Sequence, residues 1–258
     1  MSYLTPLRSD LKLSIILSLL EGKKKISELK EATKTRETTI LHVLKELDQL
    51  DLIEKRDNTY QLTSLGVLET QICKGCDRSF NVLKDHKDFW LTHDISNIPP
   101  TLLMKIGDLH ESILVKSTKV ELQKVHETGL DMLLASKNIM GISPIIHQDH
   151  AKAIIEILRQ GGNVVLIVTP EVLDVINKST SDPEETIKHI ADGGLQIYLN
   201  NNINFSLTVT EKIWTLGLFS PSGEYDYNSD LRGRGEEGLE WCRQLFRNKL
   251  EKSTKIQI

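Results

Sequence analysis

The first fifty residues alternate apolar and polar positions with the period of an α-helix. Leu11, Ile15 and Leu19 recur at intervals of four, and Gly22 follows them as a helix terminator. The third such stretch places Ile40, Leu44 and Leu47 on one face. The predicted helices are Asp10–Glu21, Ser27–Thr33 and Arg36–Leu50.

Two short strands are predicted after the third helix. Ile53–Arg56 and Tyr60–Thr63 flank the polar residues Asp57–Thr59, which are typical of a hairpin turn. Three helices followed by a hairpin are the outline of a winged helix-turn-helix.

A long amphipathic helix is predicted over Ser64–His93, because this stretch lacks proline and its apolar residues are spaced by three, four or seven. Such a stripe favours packing against a second helix, and we expect a homodimer. Asn97–Pro100 ends the pattern and is the expected hinge. The stripe comprises Leu68, Ile72, Cys76, Phe80, Leu83 and Trp90.

Beyond residue 100 the chain alternates strand and helix signals, which indicates an α/β domain. Asn163–Thr169 is a β-branched run typical of a buried parallel strand. The other predicted strands are Asn138–Ser143, Leu195–Leu199, and a hairpin of Phe205–Thr210 with Trp214–Phe219. The predicted helices are Asp149–Gln160, Glu171–Asn177, Glu184–Ala191 and Glu236–Lys249. The predicted domains are 1–64 (winged helix), 65–96 (linker and dimerisation helix) and 97–258 (α/β effector domain).

The amino-acid composition narrows the class of protein only a little. The 258 residues are 39% hydrophobic and 26% charged with a net charge of −4, values typical of globular proteins. Three cysteines, no long apolar run and no signal-peptide pattern favour a cytoplasmic protein without membrane contact. Residues 1–62 hold 11 Lys and Arg against 10 Asp and Glu, so bulk charge alone does not indicate DNA.

The third helix nevertheless carries side chains suited to double-stranded DNA on its polar face. Short polar and basic side chains near its N-terminus could read bases in the major groove, and basic residues beyond them could contact phosphates. A merely solvated helix face remains an alternative. The base-reading candidates are Thr35, Arg36, Thr38, Thr39 and His42, and the other candidates are Lys45, Lys55, Arg56 and the hairpin-tip residue Asn58.

The stretch from Leu44 through Leu52-Ile53-Glu54-Lys55-Arg56 to Tyr60-Gln61-Leu62-Thr63 and Gly66 resembles winged-helix regulators of bacteria and archaea. Asp51 stands where that motif usually has glycine. The remainder resembles the effector domain of archaeal methanogenesis regulators and the phospholipase-D-like architecture of some archaeal sugar-sensing regulators. The resembling segments are 98–109, 138–144, 161–173, 214–226 and 238–246. The resemblance implies a DNA-binding transcription regulator.

Ligands of α/β sheets bind beyond the carboxyl ends of the strands, which predicts a site for a small polar or anionic metabolite. An alternative is that Pro144 and Pro170 simply end their strands. The candidate ligand-binding residues are Ser143, His147, Thr169, Tyr225 and Arg232.

Three other motifs are too incomplete to predict a site. Cys73 and Cys76 form a lone CxxC, so ordinary helix-face cysteines are favoured over a metal shared between two chains or a redox role. The Gly233–Gly238 segment fits GxGxxG, but no second strand and acidic residue follow it. His150 and Lys152 begin an HxKxxxxD motif, but Ile157 replaces its aspartate. We therefore expect no catalysis, no metal and no cofactor.

The predicted fold is an α+β winged helix joined by a long helix to an α/β domain of phospholipase-D-like architecture. The predicted function is that of a homodimeric, sequence-specific transcription regulator that senses a small molecule. The alternatives are a winged-helix protein–protein adaptor and an enzyme acting on a phosphorylated small molecule.

Overall fold

The computed structural model describes residues 9–145, 147–179 and 182–256. The chain divides between Asn81 and Val82 into two units, which we call the N-terminal and C-terminal units.

The N-terminal unit begins with three helices that bury one face each. Ser9 caps the first helix by accepting a hydrogen bond from the main-chain N–H of Lys12. Leu29 of the second helix and Ile40 and Leu47 of the third are fully buried in a shared core. The helices are α1 (Asp10–Leu20), α2 (Ile26–Thr33) and α3 (Glu37–Asp48), which confirms the three predicted helices to within two residues at each end.

The hairpin follows α3 as predicted, with β1 (Ile53–Arg56) antiparallel to β2 (Thr59–Leu62). Asp57 and Asn58 both have positive φ angles, of 44° and 65°, as a tight two-residue turn requires. Tyr60 of β2 exchanges two main-chain hydrogen bonds with Lys24, of 2.9 and 2.8 Å. The hairpin is thereby fixed to the segment that leads into α2.

Helix α4 (Ser64–Asp85) starts directly after the hairpin. The connections on the two sides of the hairpin, from α3 into β1 and from β2 into α4, each depend on one main-chain position. Asp51 has a φ of 56°, the left-handed conformation for which glycine is usual at the end of a helix. A Cβ atom on Gly66 would overlap the carbonyl oxygen of Leu52 and lie 2.8 Å from its carbon. Gly66 is therefore required for the first turn of α4 to pack against the chain before β1.

The predicted helix Ser64–His93 is in fact two helices, because α4 ends at Asp85 and α5 spans Lys87–Thr92. His86 between them leaves the helical conformation, and its Nε2 atom is hydrogen-bonded to Ser112 Oγ at 2.9 Å. Trp90 lies on α5 and donates its indole N–H to the main-chain oxygen of Val82. Trp90 is thus not part of the exposed stripe of α4, contrary to the prediction.

The predicted hinge at Asn97–Pro100 is held within the C-terminal unit. Ile98 is only 2% exposed, and Lys249 Nζ donates to Asn97 Oδ1 at 2.6 Å. Pro100 begins a short helix, α6 (Pro100–Leu103), as proline at the first helical position often does. Trp241 Nε1 donates to the main-chain oxygen of Leu102 at 2.9 Å. The prediction of a hinge here was therefore wrong.

The rest of the C-terminal unit is an eight-stranded sheet with helices on both faces. The strand order is β10-β6-β5-β4-β7-β8-β9-β3, in which the neighbouring pairs β4–β5 and β5–β6 are parallel and the other neighbouring pairs are antiparallel. The strands are β3 (Ile113–Lys116), β4 (Asn138–Ser143), β5 (Asn163–Val168), β6 (Leu195–Leu199), β7 (Phe205–Val209), β8 (Trp214–Leu218), β9 (Ser229–Gly233) and β10 (Thr254–Lys255). The helices are α7 (Lys124–Leu134), α8 (Gln148–Arg159), α9 (Pro170–Ser179), α10 (Pro183–Ala191) and α11 (Glu236–Leu250).

Strand β5 shows why the central strands are continuous apolar runs. Val164, Leu166 and Val168 contribute to one core cluster, which also contains Ile157 of α8. Ile167 contributes to the cluster on the other face, which contains much of α11. The predicted strands and the β7–β8 hairpin are confirmed, whereas β3, β9, β10 and α7 were not predicted.

Along the described part of the chain, no helix combines the length and the hydrophobicity that a membrane crossing requires.

Candidate functional site

The outward face of α3 presents the polar side chains that the sequence pattern indicated. The opposite face is buried through Ile40, Leu44 and Leu47. Leu41 also lies on the exposed side, with 41% of its surface accessible, and sequence reasoning did not include it. Thr35 is partly buried, whereas Arg36, Thr38, Thr39, His42 and Lys45 are exposed, as are Lys55, Arg56 and Asn58 on the hairpin.

Two of these cationic candidates lie beside carboxylates. His42 Nε2 is 3.3 Å from Glu46 Oε1, and Lys12 Nζ is 2.7 Å from Glu46 Oε2. The hydrogen bond from Lys12 is the main reason that the pKa of Glu46 is lowered. Arg56 Nη2 is 3.0 Å from Glu54 on the same strand. An incoming phosphate must therefore compete with Glu54 for Arg56.

The C-terminal unit contains a cavity of about 130 Å³ at the carboxyl ends of β4 and β5. Its walls are mostly apolar, and Tyr225 Oη is hydrogen-bonded to Ser206 Oγ at 2.7 Å. Burial raises the pKa of Tyr225, so its hydroxyl stays protonated and able to donate. The polar side chains of the lining are Ser143, His147, His150, Ser206, Thr208 and Tyr225.

Three histidines and an aspartate cluster beside this cavity. The rings of His126 and His147 have centroids 3.5 Å apart, and those of His126 and His150 are 4.8 Å apart. Asp149 Oδ2 lies 3.5 Å from His126 Nε2 and 3.6 Å from His147 Nδ1. Helix α7 supplies His126, and the start of α8 supplies the other three. Sequence reasoning missed His126 because α7 itself was not predicted.

Two histidines of this cluster, His147 and His150, have lowered pKa values. Burial, followed by the charge of His126, lowers the pKa of His147. Burial, with the neighbouring His126 and His147, lowers the pKa of His150 to about 4. His150 Nε2 is buried and has no hydrogen-bond partner among the described residues. His147 and His150 therefore offer nitrogen lone pairs rather than positive charge at neutral pH.

The structure brings three of the five predicted ligand residues together at the cavity, namely Ser143, His147 and Tyr225. Thr169 lies outside the lining, and its Oγ1 atom accepts a hydrogen bond from the main-chain N–H of Val172 at the start of α9. Arg232 lies outside it too, in strand β9.

Arg232 is engaged in a buried network. It forms a bidentate pair with Asp230, with N–O distances of 2.8 and 3.0 Å, and each of the two residues is only 7% exposed. Its other donors reach Thr128 Oγ1 and the main-chain oxygen of Val125 on α7. The guanidinium thereby joins β9 to α7, which is a structural role and replaces the predicted role in anion binding.

The GxGxxG segment has a packing role instead of a nucleotide-binding one. A Cβ atom on Gly233 would lie 2.6 Å from the indole of Trp214, and one on Gly238 would lie 2.5 Å from Trp214 Nε1. These glycines leave room for a fully buried tryptophan between β9 and α11.

Cys73 belongs to the hydrophobic core of the N-terminal unit, and burial raises the pKa of its thiol. A buried, protonated thiol is a poor nucleophile and a poor metal ligand. Cys73, Cys76 and Cys242 are all free thiols.

Three short helices and a hairpin, with an exposed polar face on α3, define a winged helix-turn-helix module. Two family models match the chain: residues 4–76 match "Methanogenesis regulatory protein FilR1, N-terminal domain", and residues 122–252 match the middle domain of the same protein. The chain therefore belongs to the family of the methanogenesis regulatory protein FilR1. The family is named for a regulatory protein, which agrees with the predicted class of protein.

One relative is the methanogenesis regulatory protein FilR1 of Methanothrix harundinacea (strain 6Ac). It is 30% identical over an alignment of 253 residues, and the alignment covers 96% of this chain and 56% of the relative. The chain thus spans little more than half the length of this curated relative.

Two solved structures match the chain at low similarity. TrmBL2, an archaeal chromatin protein with a novel mode of DNA binding, matches 98% of each chain at 14% identity with a TM-score of 0.46. Phosphatidylserine synthase of Haemophilus influenzae Rd KW20 matches 56% of this chain and 39% of its own at 13% identity, with a TM-score of 0.41. At these low TM-scores the phospholipase-D-like architecture stays a prediction.

Proposed function

We propose that the chain is a sequence-specific DNA-binding transcription regulator whose helix α3 enters the major groove. The observation that carries this proposal is the outward face of α3, where Arg36, Thr38 and Thr39 are exposed opposite a fully buried apolar face. A helix of this size fits the major groove, and arginine and threonine side chains can contact base edges there. The exposed Leu41 is suited to contact with a thymine methyl group.

The hairpin supports the same proposal, because its exposed basic side chains could contact the phosphate backbone of DNA. Lys55 and Arg56 are exposed on β1, and Asn58 lies at the hairpin tip. Lysine and arginine contacts to phosphates set the position of the module without reading sequence. Because Arg56 must leave Glu54 to contact a phosphate, Lys55 is expected to contribute more to DNA affinity than Arg56 does.

The base contacts of α3 and the phosphate contacts of the hairpin predict different effects of mutation. Arg36→Ala or Thr39→Ala should reduce the discrimination between operator and random DNA by about 1–3 kcal/mol for each base pair that is no longer read. Lys55→Ala should weaken binding to both DNAs and reduce the slope of log K against log salt by about one. These effects are measurable by titrating labelled duplexes of the chain's own upstream region and of random sequence at several salt concentrations.

Lys188→Ala is the matched control, because it removes one exposed positive charge from the C-terminal unit. It should leave both affinities unchanged. If none of the α3 and β1 substitutions alters operator binding, the assignment of α3 to the groove is wrong, and the protein–protein adaptor becomes the better account.

We further propose that the regulator acts as a homodimer through the exposed stripe of α4. Leu68, Ile72 and Phe80 are 66%, 66% and 65% exposed, which is unusual for three large apolar side chains on one helix. A second copy would cover them and would also supply a second α3 for a palindromic operator with half-sites about one helical turn apart.

Phe80→Glu should therefore yield monomers at concentrations where the wild type is dimeric, because dimerisation would bury two uncompensated carboxylates. Multi-angle light scattering measures the mass directly. Val120→Glu is the control, since Val120 is also an exposed apolar residue but lies in the C-terminal unit. A dimeric mass that survives both Phe80→Glu and Leu83→Glu would exclude the α4 stripe as the interface.

We also propose that the cavity of the C-terminal unit binds the signal. Its apolar walls and the buried Tyr225 hydroxyl suit a small molecule with an apolar body and a polar group. By thermodynamic linkage, a ligand that changes operator affinity must have its own affinity changed by operator by the same factor. A molecule that binds the cavity but leaves operator affinity unchanged is not the signal.

A further inference from the structure

The cluster of His126, His147 and Asp149 has the composition and the spacing of a metal site. Two imidazoles and one carboxylate are ligands that divalent zinc, cobalt, nickel and iron accept. One potential donor atom from each of the three residues lies within 4.8 Å of the others. Sequence alone did not indicate this site, because His126 lies 21 positions before His147 on a helix that was not predicted.

The distances within the cluster are close to those of a coordination sphere, and the Nδ1 atom of His147 also accepts a hydrogen bond from the main-chain N–H of Asp149 at 3.4 Å. Both histidine nitrogens lie 3.5–3.6 Å from the same carboxylate oxygen, Asp149 Oδ2, which is too long for a strong hydrogen bond. Metal bonds of about 2.0–2.1 Å place neighbouring ligand atoms about 3.3 Å apart in a tetrahedron. The two nitrogen–carboxylate distances are therefore close to those of a tetrahedral site, and all three donor atoms lie within 4.8 Å of one another.

The surroundings of the cluster also suit a cation. The imidazole rings of His126 and His147 lie close together, with centroids 3.5 Å apart and an interplanar angle of 33°. Lys152 Nζ lies 3.6 Å from the other carboxylate oxygen, Asp149 Oδ1, and because its side chain is 78% exposed it can move away when a metal ion binds the carboxylate. His150, with its unpartnered Nε2 atom, stacks on His126 and is a further potential nitrogen donor.

We propose that His126, His147 and Asp149 bind one divalent transition-metal ion at the edge of the cavity. Three protein ligands leave at least one coordination position open for water or for a polar group of a cavity ligand. This inference goes beyond the proposed function and does not depend on DNA binding, because the site is defined within the C-terminal unit.

The test is a titration of untagged, chelator-treated full-length chain with Zn²⁺, followed by calorimetry. One equivalent per chain is expected, and His126→Gln, His147→Gln and Asp149→Asn should each weaken binding by about tenfold or more. His189→Gln is the matched control, since His189 also faces a carboxylate, Glu185, at 3.9 Å, but lies on α10 away from the cluster. Equal affinities for the control and the three variants would overturn the site.

A second measurement on the wild type does not require the variants to fold. X-ray absorption of the zinc-loaded chain should show nitrogen and oxygen neighbours at about 2.0–2.1 Å and no sulfur shell. A sulfur shell at about 2.3 Å would assign the metal to cysteines and contradict the proposal. The absence of any stoichiometric zinc binding would show that the residues form only a hydrogen-bonded cluster, and would also overturn it.

Discussion

Replacing Asp230 with alanine is expected to destabilise the C-terminal unit by about 3–5 kcal/mol, because it leaves the buried guanidinium of Arg232 without its counter-ion. The pair is bidentate and each residue is only 7% exposed, so water cannot easily take the place of the carboxylate. All three tryptophans of the chain, at positions 90, 214 and 241, lie in this unit. Denaturant unfolding followed by tryptophan fluorescence therefore reports its stability directly.

The double substitution Asp230→Leu with Arg232→Met is the control. Replacing a whole buried ion pair by apolar residues of similar volume often costs little, so the double variant should be more stable than Asp230→Ala. Arg232 also donates hydrogen bonds to Val125 and Thr128 of α7, and their removal should keep the double variant somewhat below the wild type. A destabilisation below about 1 kcal/mol for Asp230→Ala would show that the pair is not a structural anchor.

Gly66→Ala is expected to destabilise the N-terminal unit by about 3 kcal/mol or more, at the upper end of the cost of overpacking. The added Cβ atom would overlap the main-chain carbonyl of Leu52, which cannot move aside as a flexible side chain could. Hydrogen exchange of the α1–α3 amides should show the destabilisation, and operator binding should fall with it.

Gly75→Ala on the same helix is the matched control. A Cβ atom there meets nothing within 4 Å, so alanine should stabilise α4 by about 0.5–1 kcal/mol through its higher helix propensity. Equal stabilities for the two alanine variants would contradict the packing assigned to Gly66.

The N-terminal unit was predictable from sequence because its signals are local. Helix periodicity, the polar hairpin turn and the glycine that follows it all act over a few residues, and the buried faces of α1–α3 follow from them. The unusual backbone at Asp51 was also visible in sequence, as an aspartate at the position where related motifs have glycine.

The C-terminal unit was only partly predictable, because some of its strands depend on distant partners. Strand β9 contains Asp230 and Arg232, and two charged residues in five positions do not indicate a buried strand. They are buried because they pair with each other and because Arg232 also donates a hydrogen bond to Val125 of α7. Likewise, Asn97–Pro100 has the composition of a linker, but Lys249 and Trp241 from the far end of the chain hold it in place.

The candidate sites also differ in how far they depend on local sequence or on contacts between distant segments. The exposed face of α3 lies on one helix, and its polar residues were predicted, whereas the exposed Leu41 was not. The cavity draws on β4, α8, β7 and Tyr225, so only three of the five predicted residues line it. The histidine cluster requires α7 to pack against α8, which no local pattern indicated.

Selection of duplexes from a random-sequence pool by the full-length chain is the most direct test of sequence-specific recognition by α3. The wild type is expected to enrich a defined sequence, palindromic if the α4 stripe joins two copies, and the double variant Arg36→Ala with Thr39→Ala should abolish or alter this enrichment. Lys188→Ala should enrich the wild-type sequence. Recovery of the input distribution by the wild type, at a salt concentration where it binds DNA, would contradict sequence-specific recognition by α3.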